Sequence, residues 1–399
     1  MARVLVSFLG TGSIENNEER RYRKAKYKIG DKSYYTSFVS AALVEHLKIE
    51  KKIIIGTAKS MWEEYYRFFY SGTEAYDENL YKRLIEYTNK ANAQTKDISI
   101  LEELDRVMIN TDIIIINYGL NEEELRENIT RVLKIDKLLD HKDGLYMDIT
   151  HGFRSFPLLA QQIVFYLKEV SSKNIKPRTF YYGMLDAISE LGYAPIIDLN
   201  LMFEMNDWII GANQFVVSNN GDKIVGLLQE KDKKLKHLIE TFSNAMSINY
   251  MTEIQQLIKD VNDYDLSEIE MPERLIISKV INEFKAHFLD IRSNSDFQLK
   301  LAQWFYNKKK YSSAYIVLSE AIVTWVCEKH NYNSISKDKR ELAKTIIANS
   351  SDFKHKYAVI SNIRNNIAHS LSGRNNPMER DIKAFSEFMK FFKQKIKQN

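Results

Sequence analysis

Five short runs in the first half of the chain are apolar on both alternating faces: RVLVSFL (3–9), KKIIIGTA (51–58), TDIIIINYG (111–119), GLYMDITHG (144–152) and RTFYYGML (178–185). Near-continuous β-branched runs of this length predict parallel strands buried on both faces. Between them the apolar period becomes helical. TSFVSAALVEHL (36–47) precedes the second strand, EEELRENITRVLKIDKLL (122–139) the fourth and FRSFPLLAQQIVFYLKEV (153–170) the fifth. Such alternation predicts right-handed βαβ units and an α/β, Rossmann-like domain with a mostly parallel sheet. A sixth run, YAPIIDL (193–199), follows the fifth so closely that the two predict a hairpin at the sheet edge.

From about residue 200 the grammar changes. LMFEMNDWIIGANQFV (201–216) reads as a helix, and apolar residues recur at helical spacing over 232–261, 272–291, 297–330, 338–350, 354–370 and 379–396. Thirteen of the 14 glycines lie between Gly10 and Gly226, and beyond them only Gly373, Pro272 and Pro377 interrupt the chain. Glycine and proline punctuate turns, so the pattern predicts long helices with short connections. The expected division is an α/β domain over 1–199, an all-α linker over 200–285 and an all-α terminal domain over 286–399, in line with a length of 399 residues.

Composition narrows the classes. The longest apolar runs are about five residues, too short to span a bilayer, and MARVLVSFLGTGS reads as a first strand rather than a signal peptide. A cytoplasmic location with no membrane association is the expectation. The single cysteine, Cys327 in IVTWVCEKH, excludes an internal disulfide framework and reads as a small buried apolar residue. A net charge of +4 permits nucleic-acid binding without arguing for it. The lysine-rich end, KFFKQKIKQ, reads as a solvated helix face.

In doubly wound sheets ligands sit outside the carboxyl ends of the strands. Those ends carry GTGS (10–13), GTAKSMW (56–62), NYG (117–119) and DITHGFRS (148–155). Backbone N–H groups and hydroxyls in such loops suit phosphates and polar heterocycles. A nicotinamide cofactor fits poorly. GTGS supplies two of the three fingerprint glycines, and Thr57 and Lys59 stand where a ribose-binding acid belongs. A lysine there suits a ligand with phosphates and several hydroxyls.

Taken together, DITHGFRS, YYTSFVSAAL (34–43) and GTAKSMW resemble the CARF sensor domain of the CRISPR-associated ancillary ribonucleases of type III systems. That family binds cyclic oligoadenylates across a homodimer, most often the cyclic tetraadenylate in close relatives. The resemblance implies that Gly10, Thr11, Gly12, Ser13, Tyr34, Thr36, Thr57, Lys59, Ser60, Asn117, Tyr118, Asp148, Thr150, His151, Gly152 and Arg154 surround the ligand. Lys59 or Arg154 can hold phosphates, hydroxyls can meet ribose, and Tyr34, Tyr118 or Trp62 could stack on adenine. A two-fold symmetric ring suits a two-fold symmetric dimer.

The same family ends in a helical HEPN domain whose signature is an Arg separated from a His by four to six residues. RNNIAH (364–369) fits, with Arg364, Asn365 and His369, and follows YSSAYIVLSEAIVTW (311–325), which resembles the first long helix of such domains. Arginine forks onto phosphate oxygens, histidine titrates near neutrality and can move protons, and Asn365 can position either. Attack by the RNA 2′-hydroxyl on its own phosphate requires no metal, and the sequence shows no H-E-x-x-H or carboxylate cluster. Residues five apart lie about 140° from one another on a straight helix. One motif therefore does not easily close a tight pair from both side chains, whereas two motifs meeting at a dimer interface could, as the composite site implied by the resemblance requires. Asn366 and Ser370 read as structural, His330 and His355 as surface residues.

The expectation is a metal-independent endoribonuclease for single-stranded RNA, switched on by a cyclic oligoadenylate and serving antiviral defence. Two alternatives stand beside it. The sensor domain could also cleave its own ligand, with Thr150, Thr57 or Thr11 orienting a ribose. Or the chain could be a regulator without nuclease activity; a DNA-reading helix-turn-helix would need a basic recognition helix, which 341–372 does not supply, so stable DNA binding is not expected.

Overall fold

The computed structural model describes residues 1–12, 22–267, 269–369 and 378–397, with the backbone alone for Lys231, Asn262, Ala368, His369 and Lys397. The chain divides into two compact units, Met1–Phe203 and Glu204–Asn399.

The first unit is built on one eight-stranded sheet. Its strands are β1 (Arg3–Leu9), β2 (Ala25–Ile29), β3 (Lys32–Thr36), β4 (Lys51–Gly56), β5 (Thr111–Ile115), β6 (Gly144–Asp148), β7 (Lys176–Gly183) and β8 (Ala194–Asp198). They lie in the order β3-β2-β8-β7-β6-β1-β4-β5. β5, β4, β1, β6 and β7 run parallel, whereas β8 is antiparallel to β7 and β3 to β2. The expected hairpin of β7 and β8 is present, but it is not the edge. β2 pairs parallel with β8 from Tyr27↔Ala194 to Lys28↔Pro195, and the β2–β3 hairpin closes that side.

Helices cover both faces, and the alternation along β1 shows why. Val4, Val6 and Phe8 join Ile53, Ile55, Leu145 and Met147 under α5 (Glu122–Leu133) and α6 (Phe156–Glu169). Leu5 and Leu9 point the other way. They meet α1 (Val39–Leu47) and the helices α2 (Trp62–Tyr70), α3 (Glu78–Lys90) and α4 (Ser99–Val107). A single turn, α7 (Ile188–Leu191), links β7 to β8. Beside β1 lie β4 and β5 on one side and β6 and β7 on the other. The order therefore reverses between β1 and β6, where a crevice opens beyond the strand ends.

The second unit is helical: α8 (Asn200–Ser218, which begins before the boundary), α9 (Asp222–Leu227), α10 (Lys233–Ile248), α11 (Met251–Asn262), α12 (Glu273–His287), α13 (Asn294–Asn307), α14 (Tyr311–Lys329), α15 (Lys337–Asn349), α16 (Lys354–His369) and α17 (Met378–Lys397). One continuous core runs from Trp208 to Phe392. α14 is apolar on every side and buried along most of its length, as expected of a helix at the centre of a bundle. The periodic stretches over 232–261 and 297–330 are each two helices. The first breaks at Asn249 and the second at Lys309, both left-handed with φ of 61° and 58°. No helix among the described residues is long and apolar enough to cross a membrane.

Candidate functional site

Beyond the carboxyl ends of β1, β4 and β6 lies a cavity of about 290 Å³. Gly10, Thr11, Gly12, Thr57, Ser60, Thr150, His151 and Gly152 line it, together with Leu9, Tyr22, Phe153 and Phe156. Three of the four loops singled out in the sequence thus converge on one pit.

Its floor is clasped by Ser60. The Ser60 hydroxyl donates to the Leu9 carbonyl (2.6 Å) and accepts from the Thr57 N–H (2.9 Å), joining the ends of β1 and β4. The indole N–H of Trp62 donates to the Thr57 carbonyl at 2.8 Å. Trp62 is fully buried, so it belongs to the core and does not offer a stacking face, a correction to the sequence expectation.

Glycine is required where backbone meets backbone. A Cβ on Gly10 would lie 2.9 Å from the Gly152 nitrogen, and Gly152 itself has φ +104° with the Phe156 ring 2.4 Å from where its Cβ would stand. No side chain fits there without moving the crevice walls.

β6 ends in a buried carboxylate. Asp148 accepts from the Ser7 hydroxyl (2.7 Å) and the Thr150 N–H (3.0 Å), which fixes the turn into the cavity. The Thr150 hydroxyl accepts from the Gly183 N–H at 2.8 Å and so ties β6 to β7. The His151 ring stacks on Tyr22 with centroids 4.4 Å apart. Burial lowers its pKa below the ordinary histidine value against the opposing pull of the Asp148 charge. Its Nε2 is enclosed without a hydrogen-bond partner among the described residues.

The remaining expected ligands sit elsewhere. Tyr34 lies on β3 with its hydroxyl 2.9 Å from His46 Nδ1, and Thr36 caps its own turn through the Phe38 N–H. The Lys59 ammonium donates to the Ala91 carbonyl at 3.1 Å. Asn117 donates to Glu127, and Tyr118 packs against Phe153 at the cavity rim with centroids 5.0 Å apart. Arg154 is exposed, and Ser13 falls outside the described residues. Tyr22, like Leu9, Phe153 and Phe156, is a lining residue that sequence reasoning missed. It stands alone among charged residues with no motif around it, yet its hydroxyl accepts from the Gly10 N–H at 2.7 Å.

In the helical unit, Arg364 and Asn365 lie near the end of α16. The Arg364 guanidinium donates through Nε (3.2 Å) and an Nη (2.9 Å) to the Asn365 carboxamide oxygen. Asn365, Asn366 and Ile367 are exposed beside it. His369 closes the helix; its side chain lies outside the described atoms. The broad cleft of this unit, about 970 Å³, is lined by Lys300, Trp325, Lys329 and Lys393 among others, and among the described residues its lining does not include Arg364, Asn365, Asn366 or Ile367.

Comparison with known proteins fits this architecture. Residues 4–186 match the family model described as CRISPR system endoribonuclease Csx1, CARF domain, and residues 204–294 that of CRISPR-associated protein MJ1674, second domain. The chain is 33% identical to CRISPR-associated protein MJ1674 of Methanocaldococcus jannaschii across 93% of its own length, and it spans 62% of the length of that relative. Among solved structures, Enterococcus italicus Csm6 bound to cyclic hexa-2′-fluoro-hexa-dAMP is 10% identical, with a TM-score of 0.34, 99% of this chain covered and 93% of that one. The sheet and the crevice at its switch point lie within the segment that is similar to the CARF domain of Csx1, and the chain over most of its length is similar to MJ1674.

Proposed function

We propose that this protein is an endoribonuclease for single-stranded RNA, activated when a cyclic oligoadenylate, most simply the tetraadenylate, binds at the crevice of its CARF domain. The observation that carries the reading is the cavity at the switch point, lined by the hydroxyl-bearing Thr11, Thr57, Ser60 and Thr150 beside His151. Such a surface offers hydrogen bonds to ribose hydroxyls and phosphate oxygens. Its 290 Å³ lies at the lower bound of small-ligand sites, which is too little for a ring of four nucleotides. A second copy across a two-fold axis would supply the rest, so the ligand and the dimer share one symmetry.

Residues 286–399 would form the ribonuclease domain of HEPN type, with 200–285 as the connection. Arg364, held by Asn365, would place its guanidinium on the scissile phosphate and stabilise the charge gathering there. His369 would transfer the proton between the attacking 2′-hydroxyl and the leaving 5′-oxygen. Two motifs facing each other in a dimer supply two arginines and two histidines to one phosphate.

The test is cleavage of labelled single-stranded RNA by the purified chain with cyclic tetraadenylate in excess EDTA. We expect ligand-dependent cleavage, reduced at least 100-fold in His369→Ala and in Arg364→Ala, in keeping with the usual worth of general acid–base catalysis. Full activity of His369→Ala would sink the site assignment. Absence of a response to rings of three to six adenylates would sink the activation.

A further inference from the structure

The outer strands of the sheet leave one face uncovered. Ala25, Tyr27 and Tyr34 of the β2–β3 hairpin turn inward and pack beneath α1. Strand alternation sends Lys26, Lys28 and Tyr35 to the opposite face. No core cluster of the described residues includes any of these three. Tyr35 is 75% exposed and stands directly across the ladder from Lys26. Just before the neighbouring strand β8, the Tyr193 ring takes the Lys28 ammonium at 5.2 Å from its centroid. Tyr35 thus stands across from Lys26 and Tyr193 against Lys28.

Charge singles out the occupant. Between residues 22 and 36 the chain carries five basic side chains against one acid, Asp31, whereas the whole protein has 57 against 53. An open sheet face that combines tyrosine rings with lysines offers what an unpaired polynucleotide needs. The rings supply platforms for bases, and the ammonium groups sit beside them for the phosphates. A folded protein partner would call for a wider apolar patch. A duplex would offer its phosphates and leave the exposed ring with no base face to cover.

We propose that the outer face of the β2–β3 hairpin binds single-stranded RNA through residues that belong neither to the lining of the ligand crevice nor to the RNNIAH motif. In substrate class this rests on the endoribonuclease reading. It adds a tether that would hold substrate to the sensor domain whether or not activator is bound.

The experiment is fluorescence anisotropy of a labelled 20-nucleotide oligouridylate with the whole 399-residue chain carrying His369→Ala, in EDTA and without activator. Cleavage and activation therefore play no part, and failure of the enzyme reading would leave the measurement intact. Tyr35→Ala is expected to weaken binding roughly fivefold to a hundredfold, the usual worth of one base stacked on an aromatic ring. Lys26→Gln with Lys28→Gln should weaken it further and reduce the log–log salt slope by about 1.4, two single-strand phosphate contacts. Lys137→Gln, on another part of the domain, should change nothing. These side chains are exposed or at the sheet margin, and matching melting curves establish that the variants fold. Affinity unchanged in both hairpin variants would overturn the proposal. So would hairpin-dependent binding to phosphatidylserine vesicles with no hairpin-dependent binding to RNA.

Discussion

Lys52 is a residue whose environment works against its charge. It enters β4 opposite Leu5 and Thr111, and its ammonium lies 4.4 Å from the Phe69 centroid and 5.2 Å from that of Tyr70. Burial lowers its pKa to about 8. The folded state therefore releases this proton near pH 8, whereas the unfolded chain holds it to about 10.4. Between those values the unfolded state binds more protons, so this contribution to stability rises with pH. The full cost of the charge below pH 8 is about 3 kcal/mol at most, and the ring faces return roughly 1–2 kcal/mol of it. Lys52→Met should stabilise the protein by about 1 kcal/mol at pH 7, with the advantage fading toward pH 10.5. Urea denaturation at several pH values measures it. A Met variant less stable at pH 7 would show that the aromatic cage outweighs desolvation.

At the scale of elements, α17 shows how a helix beyond a long connection is held. Phe385 is fully buried and stacks on Tyr306 with centroids 4.4 Å apart and rings 5° from parallel, while Tyr315 meets it edge-on. The Tyr306 hydroxyl donates to the Ile382 carbonyl at 2.9 Å, and that of Tyr315 to the Asp381 carbonyl. One ring thus joins α13, α14 and α17. Phe385→Ala should cost roughly 3–5 kcal/mol by cavity formation, read as a lowered urea midpoint. A loss below about 1 kcal/mol would mean that α17 contributes little to this core. The same scale shows what the sequence could reveal. The five central parallel strands were legible because burial on both faces leaves unbroken β-branched runs. The β2–β3 hairpin was not, since half of its residues are lysines, serine and tyrosine on an open face. The breaks at Asn249 and Lys309 carry neither glycine nor proline, so nothing local announced them. At the crevice, loops rich in Gly and Thr gave away three walls. Tyr22, Phe153 and Phe156 reach the cavity only through tertiary packing, which no spacing rule encodes.

The molecule as a whole has two sets of cores that share no residue, one ending by Phe203 and the other beginning at Trp208. Each can lose its packing on its own, so two calorimetric transitions are expected rather than one. Activation by ligand requires more than two stable halves. Ligand at 100 times its dissociation constant stabilises the unit that binds it by about 2.7 kcal/mol. If that were all, the helical unit would not register the event, and no cleavage could follow from it. Allosteric control needs a coupling free energy, typically 1–3 kcal/mol, arising from different affinities for two arrangements. Cyclic tetraadenylate should therefore raise the transition of the α/β unit strongly and that of the helical unit by a smaller, measurable amount. Arg364→Ala, which removes a proposed catalytic group without touching the crevice, should leave both shifts in place. A ligand that moves the first transition and leaves the second where it was would separate sensing from cleavage, and the activation model would fall even if both sites were correctly assigned.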